Sequence, residues 1–458
     1  MILFLIIFSL LILVVVSAIF VELHTFIFKI KGILSFKWFQ HKNAQHNWLV
    51  ILAFLSVFMG LLSFAWLFYI KDFLLVMQKG ATMATWGQVG DFIGGIGGTL
   101  FSLSGFVLLY LSFASQRESS EKQQIEGRFF ELIKLHRENT LEMEYLDPYL
   151  SKNSQGTSAG EEKGRVVFKR IYYQIIMALD ITAMFINEFE NDPEKIYTEK
   201  ARATLLNNEN VVQRRVSIVE LAKIDVAYSL VFNGVPKDSE AALKRQLLKF
   251  YQQDFIDPLL SLFMLLPSRG SDLFQGMQDI ITSKNLLTAL IKELKNDSEI
   301  STIGERMTTK FNKNEKFEFL FEVTEHLGNF TKFFGGHQYK LGHYFRNFFQ
   351  TVTYIDRSDA LSYEEKYYYI KTLRSQLSTY EQYIFVVNSL SHLGLVWEYG
   401  YVGRNDVNRH LITKYNLIKN ISDLSLFESL NVESYYPNVS FEFEDKPEGR
   451  KHLIKNYY

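Results

Sequence analysis

At 458 residues, with 49 Lys+Arg against 50 Asp+Glu and a formal net charge of -1, the chain has room for more than one domain but no global field to gather nucleic acid or anionic lipid. It has no cysteine, which excludes disulfides, iron–sulfur clusters and thiolate zinc sites and fits a reducing compartment. Seven prolines and forty phenylalanines favour long helices with aromatic packing over a turn-rich β sandwich.

Charge is unevenly spread. Residues 1–114 are apolar, and three uncharged stretches there, Ile2–Val21 (20 residues), Asn47–Ile70 (24) and Phe92–Ala114 (23), each reach across a hydrocarbon core of about 30 Å. They predict a membrane domain over 1–114 with three transmembrane helices. Ile2–Val21 does not read as a cleaved signal peptide: it lacks a basic n-region, its apolar run is too long, and no A-x-A-like site precedes Glu22. The loop Leu23–His46 carries Lys29, Lys31, Lys37 and Lys42 without an acidic residue, whereas Lys71–Gly90 carries Lys71 and Lys79 against Asp72. The positive-inside rule then puts the N-terminus outside and everything after Ala114 in the cytosol. In the third span Gly90, Gly94, Gly98 and Ser102 recur every four residues and share a helical face. Such a face either packs on the other two spans or joins copies of the chain. No Lys-Ser/Thr follows these glycines, so they form no phosphate loop.

From Ser115 the chain is strongly charged. Ile125, Phe129, Leu132, Ile133 and His136 keep a 3–4 spacing that continues the third span as an amphipathic helical stalk over 115–150. Ser151–Gly164 reads as a loop. Helical patterns follow over 166–189, 211–232, 239–265, 317–334, 338–355, 362–393 and 406–421, making a helical domain over 165–430. Ser362 with Glu365 has capping-box spacing, Asn233-Gly234 with Pro236 ends one helix, and Pro267 ends another. The tail 431–458, with Tyr435, Tyr436, Phe441 and Phe443, reads as extended with short strands. The expected fold is mainly α: three N-terminal transmembrane helices, then an all-α cytosolic domain with minor β at its C-terminus.

The densest polar cluster runs from Gly335 to Asn347. A helix starting near His337 puts Tyr339, His343, Arg346 and Gln350 on one face, a set able to bind an anion and equally able to form a buried network or a domain interface. His337 and His343 are six apart, not the i, i+4 spacing of a helical metal pair. Further on, Arg374, Gln376 and Asn388 interrupt an aromatic helix that reads either as a ligand or RNA groove or as a central packing helix. Arg404 and His410 resemble the Arg-x(4–6)-His motif of metal-independent ribonucleases of the HEPN class, in which His is the general acid/base and Arg stabilises the phosphorane. A helix N-cap at Asn405 or Asp406 accounts for most of the same stretch. No Gly-x-Ser-x-Gly, His-Glu-x-x-His, Walker or dinucleotide fingerprint occurs, and neither metal nor cofactor is expected.

Gly90-Asp91-Phe92-Ile93-Gly94-Gly95, Arg128–Asn139, Gly336-His337 with Leu341–Arg346, and Leu373–Ser378 through Asn388–Ser391, in that order over roughly residues 87–425, resemble the phage abortive infection (AbiC-type) family. The resemblance implies a bacterial phage-defence role in which infected cells stop growing or die before phage matures. The family commonly has two membrane helices, which leaves Ile2–Val21 as an extra one, and it supplies no catalytic residues to carry over. The reading that follows is a non-enzymatic, multi-pass effector of the bacterial plasma membrane, sensing infection through its cytosolic helices and altering oligomerisation or permeability through its third span. Its partners would be the lipid bilayer, a second copy of the chain through that span, and a phage or defence-system protein, with nucleic acid left open. The alternatives are a membrane-tethered ribonuclease using Arg404 and His410, or an anchor for a separate defence component.

Overall fold

The computed structural model describes residues 44–69, 82–146, 161–268, 272–311, 315–328, 330–400, 410–421 and 431–442. They are mainly helical, and the chain divides into two compact units, one up to Gln123 and one from Gln124.

In the first unit α1 (Ala44–Tyr69) is followed by α2 (Met83–Phe92), a π-helical turn (Ile93–Gly97) and α3 (Gly98–Leu141), the last three without a break. The π turn falls where Gly94, Gly95 and Gly97 cluster, because residues without Cβ accept the wider turn most easily. Small residues line the contact of α1 with α3. Ser56 and Ser104 are buried and share a hydrogen bond, Ser104 Oγ also donates to the Ala53 carbonyl at 3.2 Å, and a Cβ on Gly60 would lie 3.3 Å from the Phe101 ring. Phe54, Phe58, Phe106 and Phe113 are more than half exposed. Hydroxyls inside and phenyl rings outside reverse the arrangement of a water-soluble helix pair.

Three spanning helices were expected, and the structure does not support that number. Among the described residues one helix, Trp86–Leu141, is long and apolar enough to cross a membrane. The apolar stretch of α1, Leu49–Ser63, is shorter, and Ile2–Val21 lies outside the described residues.

In the second unit Phe129, Leu132, Ile133, His136 and Thr140 form the buried face of α3, with the 3–4 spacing of an amphipathic helix. A short antiparallel pair follows, β1 (Glu144–Leu146) with β2 (Glu161–Lys163). Next come α4 (Val166–Asn187), α5 (Pro193–Ile196), α6 (Glu199–Leu206), α7 (Glu209–Gln213), α8 (Ile218–Asn233), α9 (Lys237–Leu247), α10 (Gln253–Met264), α11 (Asp272–Thr282), α12 (Lys284–Asn296), α13 (Ile303–Lys310) and α14 (Glu315–Glu325). They are followed by α15 (Gln338–Asp356), α16 (Tyr363–Arg374), α17 (Thr379–Leu390), a 3-10 turn (Leu395–Trp397), α18 (Leu411–Tyr415) and α19 (Val432–Tyr435). Helix α8 is buried over most of its circumference and packs on α4 and α17, which also touch each other. Helices α10 to α14 form a second layer joined to α4 through α12.

The expected helix over 362–393 is two. Ser362 and Glu365 form the anticipated capping box, and a second box, Ser378 with Glu381, starts α17. The pattern over 211–232 breaks at Arg215, whose φ of 52° lies in the left-handed region. The pattern over 239–265 breaks between α9 and α10, where Thr198 N donates to the Phe250 carbonyl and Gln252 N to the Ile196 carbonyl, both at 2.9 Å. The short strands expected in the tail are absent from its described part, residues 431–442. There Asn431 caps α19, and Val432, Tyr436, Val439 and Phe441 are buried in the helical core, leaving no paired edge. Among the described residues the strands are β1 and β2.

One crossing positions the start of α15. Val235 N donates to the Phe334 carbonyl (2.9 Å) and His337 N to the Phe232 carbonyl (2.8 Å), with Gly234 and Gly336 between them at φ 77° and 89°. A Cβ on Gly336 would lie 2.5 Å from the Asn233 carbonyl oxygen, whereas one on Gly335 meets nothing within 4 Å. Gly336→Ala is therefore expected to destabilise the chain by about 2 kcal/mol or more, through strain and backbone collision together, while Gly335→Ala is close to neutral. Thermal melts of the two variants side by side check this, and equal melting temperatures would refute it.

Candidate functional site

Helix α15 separates the residues of the expected polar cluster. Tyr339, His343, Arg346 and Gln350 do share a face, and all four are exposed. His337 points the other way: it is 4 % exposed, its Nε2 lies 2.6 Å from Gln174 Oε1 on α4, and its ring is 6.1 Å from that of Tyr145. Burial, with Lys340 nearby, lowers the His337 pKa to about 3, so the ring is neutral and its Nε2–H donates to Gln174. The face is thus an exposed aromatic and basic stripe, and His337 is a fastener beneath it.

Arg374, Gln376 and Asn388, read from the sequence as lining either a groove or a central packing helix, serve three different contacts. Arg374 is buried at the end of α16, where its Nη1 donates to the Asn416 carbonyl at 2.7 Å and the Tyr415 carbonyl at 3.4 Å, capping α18. The Gln376 carbonyl accepts from Arg165 Nη2 at 2.6 Å. Buried Asn388 donates through Nδ2 to the Tyr228 hydroxyl at 3.0 Å. Arg374 and Asn388 are thus buried in internal contacts, whereas Gln376 makes its contact through its backbone carbonyl and is half-buried.

Arg404 lies outside the described residues, so its pairing with His410 is not placed. His410 stands before α18 in the left-handed region (φ 45°), with Nδ1 3.5 Å from Arg214 Nη2 and 3.7 Å from Glu398 Oε1. Glu398 is almost fully buried. Arg214 Nη2 donates to its Oε1 at 2.6 Å, Thr413 N to its Oε2 at 3.0 Å, and the Thr413 hydroxyl to Oε1. Arg214 Nη1 also donates to the Tyr435 carbonyl (2.9 Å), and the guanidinium stands 5.0 Å over the Tyr399 ring. Burial pushes the Glu398 carboxyl up, but His410, Arg214 and Thr413 more than offset it and hold it below 4.5.

A second buried carboxylate, Asp225 on α8, accepts from the backbone N (2.8 Å) and Nδ1 (2.7 Å) of His392 and from the Tyr251 hydroxyl (2.5 Å). This aspartate–histidine pair has the look of a catalytic dyad, but Gln246 Nε2 sits 2.6 Å from His392 Nε2 and occupies the nitrogen a base would use. The adjoining cavity, lined by Tyr197, Leu221, Phe250 and Leu395, holds about 40 Å³, room for a few waters. Sequence reasoning missed Arg214, Asp225, His392 and Glu398. The available signal was a lone charge inside an apolar run, as in Ile224-Asp225-Val226 and Val396-Trp397-Glu398-Tyr399.

The open glycine face is the other candidate surface. A Cβ placed on Gly90, Gly94 or Gly98 meets nothing within 4 Å among the described residues, and Ser102 is exposed. Helix α1 packs on the π turn, where Gly97 is buried, and meets α3 at Phe101 and Ser104.

Residues 336–424, from the Gly336 crossing to just beyond α18, match the model of a family described as "Putative phage abortive infection protein", a narrower stretch than the resemblance over 87–425. No curated protein and no solved structure matches the chain.

Arg214→Ala leaves Glu398 buried without its ionic partner and is expected to cost roughly 3–5 kcal/mol, with Glu398→Gln in the same background recovering part of it. Because folding lowers the Glu398 pKa, its contribution is present above pH 4.5 and is lost as pH falls through the folded value. Melting temperatures across an acid series should show that loss in the wild type and a smaller one in Arg214→Ala.

Proposed function

We propose that the protein is a membrane effector of phage abortive infection, anchored in the bacterial plasma membrane by its N-terminal unit with the helical unit in the cytosol. The match over residues 336–424 suggests the abortive-infection role. The membrane reading draws support from the apolar helix Trp86–Leu141, the phenyl rings outside the Ser56–Ser104 contact, and the four lysines between Leu23 and His46. Multi-pass topology with the N-terminus outside, and Ile2–Val21 and Asn47–Ile70 as further spans, belong to the same proposal.

The observation that carries it is the unfilled face Gly90–Gly94–Gly98–Ser102 on that helix. Lipid tails gain little from touching a bare backbone, whereas a second helix can approach it closely. Several copies meeting there would change permeability when the cytosolic helices report infection, and the phage or host component that they detect acts on the exposed stripe Tyr339–His343–Arg346. Helix α3 runs unbroken from the glycines to Leu141 and supplies the path for that signal.

Gly94→Leu and Gly98→Leu enlarge the face at positions where an added Cβ meets nothing within 4 Å among the described residues. Both variants should express and insert normally, lose protection in phage plating by at least about tenfold, and abolish the depolarisation seen with a potential-sensitive dye in infected cells. Full protection with an unchanged membrane potential in both would sink the reading.

A further inference from the structure

His136 lies on the buried face of α3, 1 % exposed, and neither ring nitrogen has a hydrogen-bond partner among the described residues. Its ring lies 4.6 Å from that of Tyr344 and 5.6 Å from that of Phe348, both on α15. Tyr344 is committed elsewhere: its hydroxyl donates to Glu381 Oε1 on α17 at 3.0 Å. Glu381 Oε2 accepts from Ser378 N at 2.7 Å and stands 3.7 Å from Arg165, just ahead of α4. The titratable and charged groups around His136 are therefore Tyr344 from α15, Glu381 beyond it on α17, and Arg165. On α3 itself Arg137 and Glu138 are exposed.

A buried polar group left unpaired costs about 1–3 kcal/mol, and an apolar side chain at the same place would not incur it. The neighbours of His136 on this face, Phe129, Leu132 and Ile133, are ordinary core residues. An imidazole among them weakens the seat of the helix that runs back to the membrane-crossing segment.

We propose that His136 is a release point: the turns of α3 from Phe129 to Thr140 dock on α15 against the standing penalty of an unpaired imidazole, and undock when that ring takes up a proton or reaches water. Its purpose as regulation rests on the membrane-effector reading; the docking equilibrium itself does not. Burial, with a smaller effect from Arg165, lowers the His136 pKa from 6.5 to about 4. The undocked ring binds a proton more readily than the docked one, so docking weakens as pH falls from 6.5 toward 4.

Hydrogen exchange of the full chain in detergent, read over residues 129–140 with α8 as internal reference, tests this. His136→Met should slow exchange there about tenfold at pH 7. His136→Gln, still polar and unpaired but unable to take a proton, should match the wild type at pH 7 and lose its pH dependence. In the wild type, local opening corrected for intrinsic exchange should rise about twentyfold from pH 7 to pH 5. Exchange in His136→Met as fast as in the wild type, or no acid-side rise in the wild type, would overturn the proposal. Neither result depends on depolarisation, so failure of the membrane reading would be seen separately.

Discussion

Asp225, Glu381 and Glu398 lie out of water in the helical unit, each no more than 5 % exposed, and the arrangement of the surrounding helices follows from having to meet them. Removing a carboxylate from water costs several kcal/mol unless fixed donors replace its hydration. The donors come from far along the chain: His392 and Tyr251 for Asp225, Tyr344 and Ser378 for Glu381, Arg214 and Thr413 for Glu398. Tyr344, Ser378, Glu381, His392, Glu398 and Thr413 all fall within residues 336–424, the stretch that matches the abortive-infection family. That segment therefore holds each of these three acids or at least one of its donors, and its helices cannot slide without exposing a charge or stranding it.

What the sequence made legible was local. The outward face of α15 could be read because helical spacing alone puts Tyr339, His343 and Arg346 together, and the ends of α8 and α16 could be read because Gly234 and Ser362 act on their own neighbours. His337 could not be placed that way. It precedes the first helical residue, and the backbone crossing at Gly336 turns it inward toward Gln174. The splits at Arg215 and between α9 and α10 were hidden because periodicity continues across them, while a left-handed residue closed by local hydrogen bonds makes the first break and hydrogen bonds to Ile196 and Thr198 accompany the second. The single pattern over 362–393 passed over the box Ser378–Glu381, whose glutamate also answers Tyr344, a partner that no local rule supplies.

Helix α3 carries two kinds of burial in its two parts. Near Ser104 and Val107 the buried side chains are small or hydroxylated and the exposed ones are phenyl rings; from Phe129 to Thr140 the buried side chains are mostly apolar and the exposed ones charged. The reversal falls after the uncharged residues end at Ala114, where Arg117, Glu118 and Glu121 begin a series of i, i+4 pairs that suits a helix surface in water.

The π turn at Ile93–Gly97 bears on the glycine face as well. In a regular α-helix each step of four residues overshoots a 3.6-residue turn by about 40°, so Gly90, Gly94, Gly98 and Ser102 would spiral away from one line. A π turn closes its hydrogen bond one residue later and holds more residues per turn, so a step of four falls short of a full circle. Placed between Gly90 and Gly98, it works against the drift accumulated on either side. The glycines thus permit the wider turn, and the wider turn in turn keeps the glycines aligned as one face.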